Sequence, residues 1–137
     1  MCAVLGIKTR IIRPGKPVRL WRAGVQAEFV WAGFARKETL AWWKKKQNGE
    51  LVDVPANRFA ERSDRDGQLR WDDVPAGLVV RGLIDPNGGK PLLKIVTRAS
   101  TAEELERFEH PRMPLLEPPL FSAEMLEPAE EAQGELF

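Results

Sequence analysis

The stretch Leu51-Val-Asp-Val-Pro-Ala-Asn-Arg-Phe-Ala-Glu-Arg62 contains two short, mostly apolar runs on either side of a Pro-Ala-Asn turn signal. This pattern predicts a strand, a turn and a second strand. Further strand candidates occupy residues 3–7, 27–31, 69–71, 77–83 and 91–97, and residues 11–21 are expected to be extended with a turn at Pro14-Gly15. Helix candidates occupy residues 35–46 and 101–109. Short strands at this spacing favour an α+β, mainly β fold with a barrel or sandwich-like sheet. Of these we predict a compact barrel-like antiparallel sheet with one or two short helices.

The composition fits one compact domain in a reducing compartment. The 137 residues are 43% hydrophobic, which is enough for one core, and a single cysteine excludes an internal disulfide. One cysteine and one histidine do not supply the four ligands of a structural zinc site, so we expect no metal. No secretory signal and no apolar run near the ~20 residues of a membrane helix are present. We therefore expect a cytoplasmic protein that does not enter a membrane.

The charges are distributed unevenly along the chain. The net charge is +1, but residues 1–50 carry eleven Lys/Arg and three Asp/Glu, whereas residues 101–137 carry two and ten. A basic half favours an anionic partner such as nucleic acid, unless the two ends neutralise each other in the fold. Trp42 and Trp43 precede three lysines, which suits a groove for single-stranded nucleic acid. The alternative for this run is a core tryptophan with a solvated lysine face.

Cys2 directly follows the initiator methionine. Because Met1 is normally removed when the second residue is small, we expect the mature chain to begin with the amine and thiol of Cys2. The amine can attack an aldehyde to give an imine, and the thiolate can then close a five-membered thiazolidine. The alternative is that Cys2 is a small apolar residue at the start of a strand.

Two further residues are candidates for proton transfer. Glu61 ends a mostly apolar strand candidate, where burial can raise the pKa of a carboxyl group. The sole histidine, His110, follows the second helix candidate, and imidazoles exchange protons near neutral pH. The alternatives are an ordinary strand-edge carboxylate and a histidine that complements a helix dipole.

Several segments of the chain occur in the order of the motifs of one protein family. They are Met1-Cys-Ala-Val4, Trp31-Ala-Gly33, Phe34-Ala-Arg-Lys-Glu-Thr39, Pro55-Ala-Asn-Arg-Phe-Ala-Glu-Arg62, Val96-Thr-Arg-Ala-Ser100 and His110-Pro-Arg-Met-Pro114. They resemble the Met-Cys-Gly-Arg, Trp-Gly-Leu, Asn-Ala-Arg-x-Glu-Thr, Pro-Ala-Asp-Gly-Phe-Tyr-Glu-Trp, Thr-Thr-x-Ala-Asn and His-Asp-Arg-Met-Pro motifs of the SRAP family. These are the SOS-response-associated peptidases, which include abasic-site crosslinking proteins. The similarity covers about residues 1–116, so we predict an SRAP-like domain over residues 1–117.

The resemblance implies a DNA damage response protein with a groove for single-stranded DNA and no cofactor. Cys2 would form a covalent thiazolidine with the aldehyde of an abasic site, and the family is also credited with autoproteolytic removal of the residue before this cysteine. Glu61 and His110 would be the acid and base groups. Arg36, Thr97 and Arg112 would hold phosphates, and Trp31 would be a further DNA contact. Such a protein would be cytoplasmic and associated with the nucleoid.

The chain departs from the family at positions that bear on the chemistry. Phe34 stands where the family has an asparagine that orients the sugar, although Asn57 is another candidate for that polar partner. Val4, Arg58 and Arg62 replace a family Arg, Gly and Trp. Since losing a polar donor can cost a hundredfold or more in rate, the alternative is a degenerate relative that binds single-stranded DNA without reacting or serves as an adaptor to the sliding clamp. A small cysteine protease using Cys2 and His110 lacks a further oxyanion or orienting residue.

The last twenty residues form a separate segment. Residues 118–137 are acidic and begin Pro118-Pro119, and we predict that they are disordered. The sequence finishes Gln133-Gly-Glu-Leu-Phe137. This is similar to the Gln-x-x-Leu-Phe pentapeptide that docks in the hydrophobic cleft of the bacterial sliding clamp. The clamp is therefore a second predicted partner, and an ordinary disordered end is the alternative.

Overall fold

A computed structural model describes residues 3–22 and 25–120, in which eleven strands and two short helices are present. The strands are β1 Ala3–Ile7, β2 Arg10–Ile12, β3 Pro17–Arg22, β4 Val25–Arg36, β5 Glu50–Val54, β6 Arg58–Arg62, β7 Leu69–Asp73, β8 Val79–Asp85, β9 Leu92–Ala99, β10 Arg112–Pro114 and β11 Leu116–Glu117. The helices are α1 Leu40–Lys46 and α2 Ala102–Phe108. The prediction of an α+β, mainly β fold is confirmed.

The smaller sheet has the strand order β2-β1-β6-β7, and all of its pairs are antiparallel. Its centre is the pairing of β1 with β6, in which Ala3 lies opposite Glu61 and Leu5 opposite Phe59. Residues directly opposite each other in an antiparallel pair point to the same face. The strand, turn and strand predicted over residues 51–62 are present as β5 and β6.

The larger sheet has the order β11-β8-β9-β4-β3, with β5 on the other edge of β8 and β10 added to β9. Its pairs are antiparallel except for β4 with β9, which run parallel. The prediction of an antiparallel sheet therefore misses this one pair. The sheet is curled into a half-barrel, and its two outer strands are joined by an ion pair of 2.6 Å between Arg22 Nη2 on β3 and Glu50 Oε1 on β5.

The segment from β10 to β11 fills the gap where β8 and β9 separate. The Leu115 N–H donates to the Val96 carbonyl over 2.9 Å, and the Leu115 carbonyl accepts from the Arg81 N–H over 2.8 Å. Neither β10 nor β11 was expected from the sequence, because each is only two or three residues long and contains or borders proline. These two strands carry the chain from His110 back into the sheet.

A bulge in β4 makes two predictions of element ends wrong. The strand was expected over residues 27–31, with Gly33 ending it, but it continues to Arg36 with a register shift between Trp31 and Phe34. Gly33 has a φ of 100°, which only glycine adopts without strain, so this residue kinks the strand instead of ending it. As a result Ala35 and Arg36 belong to β4, and α1 begins only at Leu40.

A buried ion pair fastens the last described residues to the larger sheet. Arg81 Nη1 lies 2.6 Å from Asp53 Oδ1, and both side chains are fully buried. Arg81 also donates to Glu117 Oε1 and to the Pro118 carbonyl, and the Leu120 N–H donates to Asp53. The first three residues of the predicted tail, 118–120, therefore belong to the described structure. Residues 121–137 lie outside the described residues, so the predicted disorder and the predicted clamp-binding end lie there too.

None of the helices in residues 3–22 and 25–120 is long and apolar enough to cross a membrane.

Candidate functional site

Glu61 and His110, which are separated by 49 residues in the chain, meet at the junction between the two sheets. His110 Nε2 lies 3.7 Å from Glu61 Oε1, and both side chains are buried. This separation is longer than a hydrogen bond, but unliganded catalytic pairs are often long and shorten when the substrate binds. The predicted acid and base are therefore brought together.

The burial of Glu61 strongly raises the pKa of its carboxyl group. Desolvation raises the pKa of Glu61 from 4.5 to about 8, because the charged carboxylate loses its contact with water. Within the described residues its Oε1 atom has no hydrogen-bond partner. At neutral pH Glu61 is therefore a carboxylic acid with a proton that it can give to a neighbouring group.

The main chain of β10 fixes the imidazole of His110. Nδ1 lies 2.7 Å from the Arg112 carbonyl and 3.1 Å from the Arg112 N–H, so either tautomer of the ring is held. When Nδ1–H donates to the carbonyl, Nε2 presents its lone pair to Glu61. When the Arg112 N–H donates to Nδ1, Nε2–H points to Glu61. The ring can thus accept a proton from Glu61 or return one to it.

The helix before His110 is attached to the smaller sheet close to Glu61. Phe108 stacks on Phe59 with ring centroids 6.0 Å apart. The Glu109 side chain accepts from Arg70 Nη2 over 2.6 Å and from the Ser63 hydroxyl over 3.1 Å. Glu109 itself has a φ of 53° and ends the helix in the left-handed conformation, which turns the chain toward His110. These contacts determine where the imidazole lies.

Cys2 lies outside the described residues, one peptide bond before Ala3. Ala3 is the partner of Glu61 in the pairing of β1 with β6. The residue that follows Cys2 in the chain is therefore paired with Glu61, one of the two proton-transfer candidates.

The residues predicted to hold phosphates form a second cluster, in which Arg112 is already bound by Glu38 and Thr97. Arg36 lies opposite Thr97 across β4 and β9. Arg112 is buried, and its guanidinium donates to both carboxylate oxygens of Glu38, over 2.8 and 3.1 Å, and to the Thr97 carbonyl over 2.8 Å. Arg112 holds the pKa of Glu38 down at about 2. A phosphate could reach Arg112 only by displacing Glu38, whereas Arg36 is exposed.

The structure corrects the expectation for Trp31. Its side chain is fully buried in the core, its Nε1–H donates to the Gly33 carbonyl over 3.1 Å, and its ring packs edge-on against Phe34. Trp31 therefore has no free face on which a base could stack. Sequence alone could not separate a core tryptophan from a binding one here.

The positions that depart from the family pattern have structural partners. Phe34 packs on Trp31 and brings no polar group to the site. Asn57, the alternative polar residue, accepts from the Lys8 N–H over 3.1 Å and closes the turn next to it. Arg58 lies over the ring of Trp71, with its guanidinium carbon 4.9 Å from the centroid.

Two residues that the sequence did not mark as functional help to build the site. The Ser100 hydroxyl donates to the His110 carbonyl over 2.7 Å, and the Glu38 carboxylate accepts from the Arg112 guanidinium. Ser100 and Glu38 both lie within the family-like segments, and this position was the one feature of the sequence that could have marked them as part of the site. No group of three His, Cys, Asp or Glu suitable for a metal ion exists in the described part of the chain.

Comparison of the chain with protein-family models, curated proteins and solved structures gives no match in any of the three.

Proposed function

We propose that this protein is an SRAP-like sensor of abasic sites in single-stranded DNA that becomes covalently attached through Cys2. The observation that carries the proposal is the meeting of Glu61 and His110 opposite Ala3. Covalent geometry keeps the Cα atom of Cys2 about 3.8 Å from that of Ala3. The free amine and thiol of Cys2 would therefore belong to the residue next to the one that is paired with Glu61, the buried acid whose partner base is His110.

The proposed chemistry divides between the amino terminus and this pair. The Cys2 amine adds to the ring-opened aldehyde of the abasic site, and loss of one water gives an imine. The Cys2 sulfur then bonds to the imine carbon while the thiol proton passes to the nitrogen, which closes the thiazolidine. Glu61, as a carboxylic acid, donates the proton that the departing water requires, and its carboxylate then takes up the proton that the nitrogen loses as the imine forms. His110 exchanges protons with Glu61 and with the sugar oxygen.

The test is intact-mass analysis of the protein after incubation with a single-stranded oligonucleotide that contains one abasic site. We expect a covalent product equal to the processed protein plus the oligonucleotide less one water. Cys2→Ala should abolish the product, and an oligonucleotide without the abasic site should give none. Absence of a product from protein that has demonstrably lost Met1 would contradict the proposal.

The second candidate is a DNA-binding protein that holds single-stranded DNA without reacting, and the observation in its favour is Phe34. This residue places an aromatic ring where the family has a polar group, and it packs into the core instead of facing a ligand. Salt-sensitive binding with no covalent product would select this function. Either function belongs with DNA at the nucleoid in the cytoplasm.

We further propose that residues 133–137 attach the protein to the sliding clamp. The support is the Gln133-Gly-Glu-Leu-Phe137 sequence and its place at the end of an acidic segment. The clamp would bring the sensor to single-stranded DNA at replication forks.

A further inference from the structure

Helix α1 has one face in the core and one face in solvent. Leu40 and Trp43 pack against the cluster formed by Ala35, Leu83, Val96 and Leu115. The amine of Lys94 lies 5.7 Å from the ring centroid of Trp43, and so it covers this tryptophan. Trp42 points outward, is 49% exposed, and meets Trp43 edge-on at a centroid distance of 5.1 Å. Trp42 therefore contacts Trp43 on one side and exposes about half of its surface to solvent.

Three exposed lysines accompany Trp42. Lys45 and Lys46 follow it by three and four residues, a spacing that puts them on the same side of the helix. Lys44 is exposed on the adjacent side of the helix, next to Lys45 in the chain. Within the described residues these lysines have no ion pair or side-chain hydrogen bond. Many arginines of the described chain, in contrast, are paired with carboxylates: Arg22, Arg65, Arg70, Arg81, Arg98, Arg107 and Arg112. The charges of α1 are therefore available to a partner.

We propose that Trp42, Lys44, Lys45 and Lys46, which we call the α1 patch, bind the DNA strand that flanks the abasic site. A base would stack on the exposed ring of Trp42, and the lysines would contact the phosphates next to it. An exposed aromatic ring beside unpaired cations is the arrangement that binds single strands without sequence preference. Two of the contacts expected from the family resemblance, Trp31 and Arg112, are buried or occupied, whereas Arg36 is exposed. The proposal rests on the proposed function in that it takes single-stranded DNA as the ligand.

The experiment measures equilibrium binding of an oligonucleotide without an abasic site to the Cys2→Ala protein, so that no covalent step contributes. We expect Trp42→Ala to weaken binding about five- to a hundredfold, the equivalent of one lost stacking contact. Trp42→Phe should restore most of the affinity, and equally long duplex DNA should respond little to either change because its bases are already stacked. Near-UV circular dichroism would verify that the variants are folded.

The lysines are tested by the salt dependence of the same binding. Replacing Lys44, Lys45 and Lys46 together by alanine should lower the slope of log affinity against log salt by about 2, because three phosphate contacts are lost. The triple arginine variant should keep the slope. The matched control is replacement of Lys8, Arg10 and Arg13 by alanine, which removes the same charge from the β1–β2 hairpin of the other sheet.

Three results would overturn the proposal. They are unchanged affinity of Trp42→Ala, equal losses in the two triple alanine variants, and disappearance of the Trp42 effect when residues 121–137 are deleted. The last result would assign the α1 patch to the chain's own acidic tail. Failure of crosslinking alone would leave these binding results standing, so the two proposals fail separately.

Discussion

At the scale of single residues, the buried carboxyl group of Glu61 makes stability depend on pH. Its pKa of about 8 in the folded protein lies above the 4.5 of an exposed glutamate. Between these two values the unfolded chain has released a proton that the folded protein keeps. Rising pH therefore favours the unfolded state throughout this window, and the effect levels off above pH 8.

Glu61→Gln should remove this dependence. The quantity to compare is the free energy of unfolding of the variant minus that of the unaltered protein. This difference should increase by as much as ~1.4 kcal/mol per pH unit between pH 4.5 and 8 and then remain constant. The measurement is urea unfolding at unit steps of pH across this window. The crosslinking rate of the same variant should fall about a hundredfold or more, because the proton donor is lost.

Glu104 supplies a control, because its pKa is lowered in the folded protein and its effect on stability therefore has the opposite dependence on pH. Arg98 holds its pKa down at about 2, so its contribution to stability is present above pH 4.5 and is lost as the pH falls toward 2. Glu104→Gln should therefore be less stable than the unaltered protein at neutral pH, with a difference that vanishes in acid. A parallel response of the two variants to pH would contradict the assignment of the Glu61 proton.

At the scale of elements, the two helices differ in how they begin. The Thr101 side chain accepts from the Glu104 N–H, and Glu104 reaches back to the Thr101 N–H, so α2 starts with a complete capping box. Thr39 precedes α1 without a capping hydrogen bond, and its hydroxyl donates instead to the Arg36 carbonyl. We expect Thr101→Ala to destabilise the protein by about 1 kcal/mol.

Thr39→Ala is the matched control for this cap, and it should cost less because only an exposed hydrogen bond is lost. Thermal unfolding of both variants at one pH provides the comparison. Since α2 also carries Phe108 and leads directly into Glu109, the loss of its cap should in addition loosen His110 and slow crosslinking. Equal losses of stability in the two threonine variants would show that the capping box does not hold α2.

The same elements show which parts of the fold could be predicted. α2 was predicted because a capping box and a following proline are local signals. The β4 bulge was missed, because a glycine inside a strand and a glycine at its end look the same in sequence, and only pairing with β9 distinguishes them. The β10 and β11 strands exist only because they complete the gap between β8 and β9. The Arg81–Asp53 pair, buried within two apolar strands, had no local signal.

At the scale of the whole molecule, the candidate site lies where the two sheets meet. Glu61 belongs to the smaller sheet, and His110 is held by the first residue of β10 in the larger one. No spacing rule predicts that a strand residue and a helix-end residue 49 positions apart will touch. The expectation that they act together came from the order of the family-like segments. Trp31 shows the limit of such transfer, since the matched position is part of the core.

Residues 1–120 carry a net positive charge and residues 121–137 a net negative charge, and this difference bears on the last prediction. Residues 121–137 carry five glutamates and no lysine or arginine. If residues 133–137 dock in the clamp, replacing Leu136 and Phe137 by alanine removes the apolar side chains that would enter its cleft. We expect the variant to lose recovery in a pull-down with immobilised clamp while its crosslinking rate is unchanged, because Cys2, Glu61 and His110 are untouched. The matched control is replacement of Met125 and Leu126 by alanine, an apolar pair in the same segment but outside the pentapeptide. Equal recovery of both variants would remove the clamp from the list of partners and leave the tail with no assigned role.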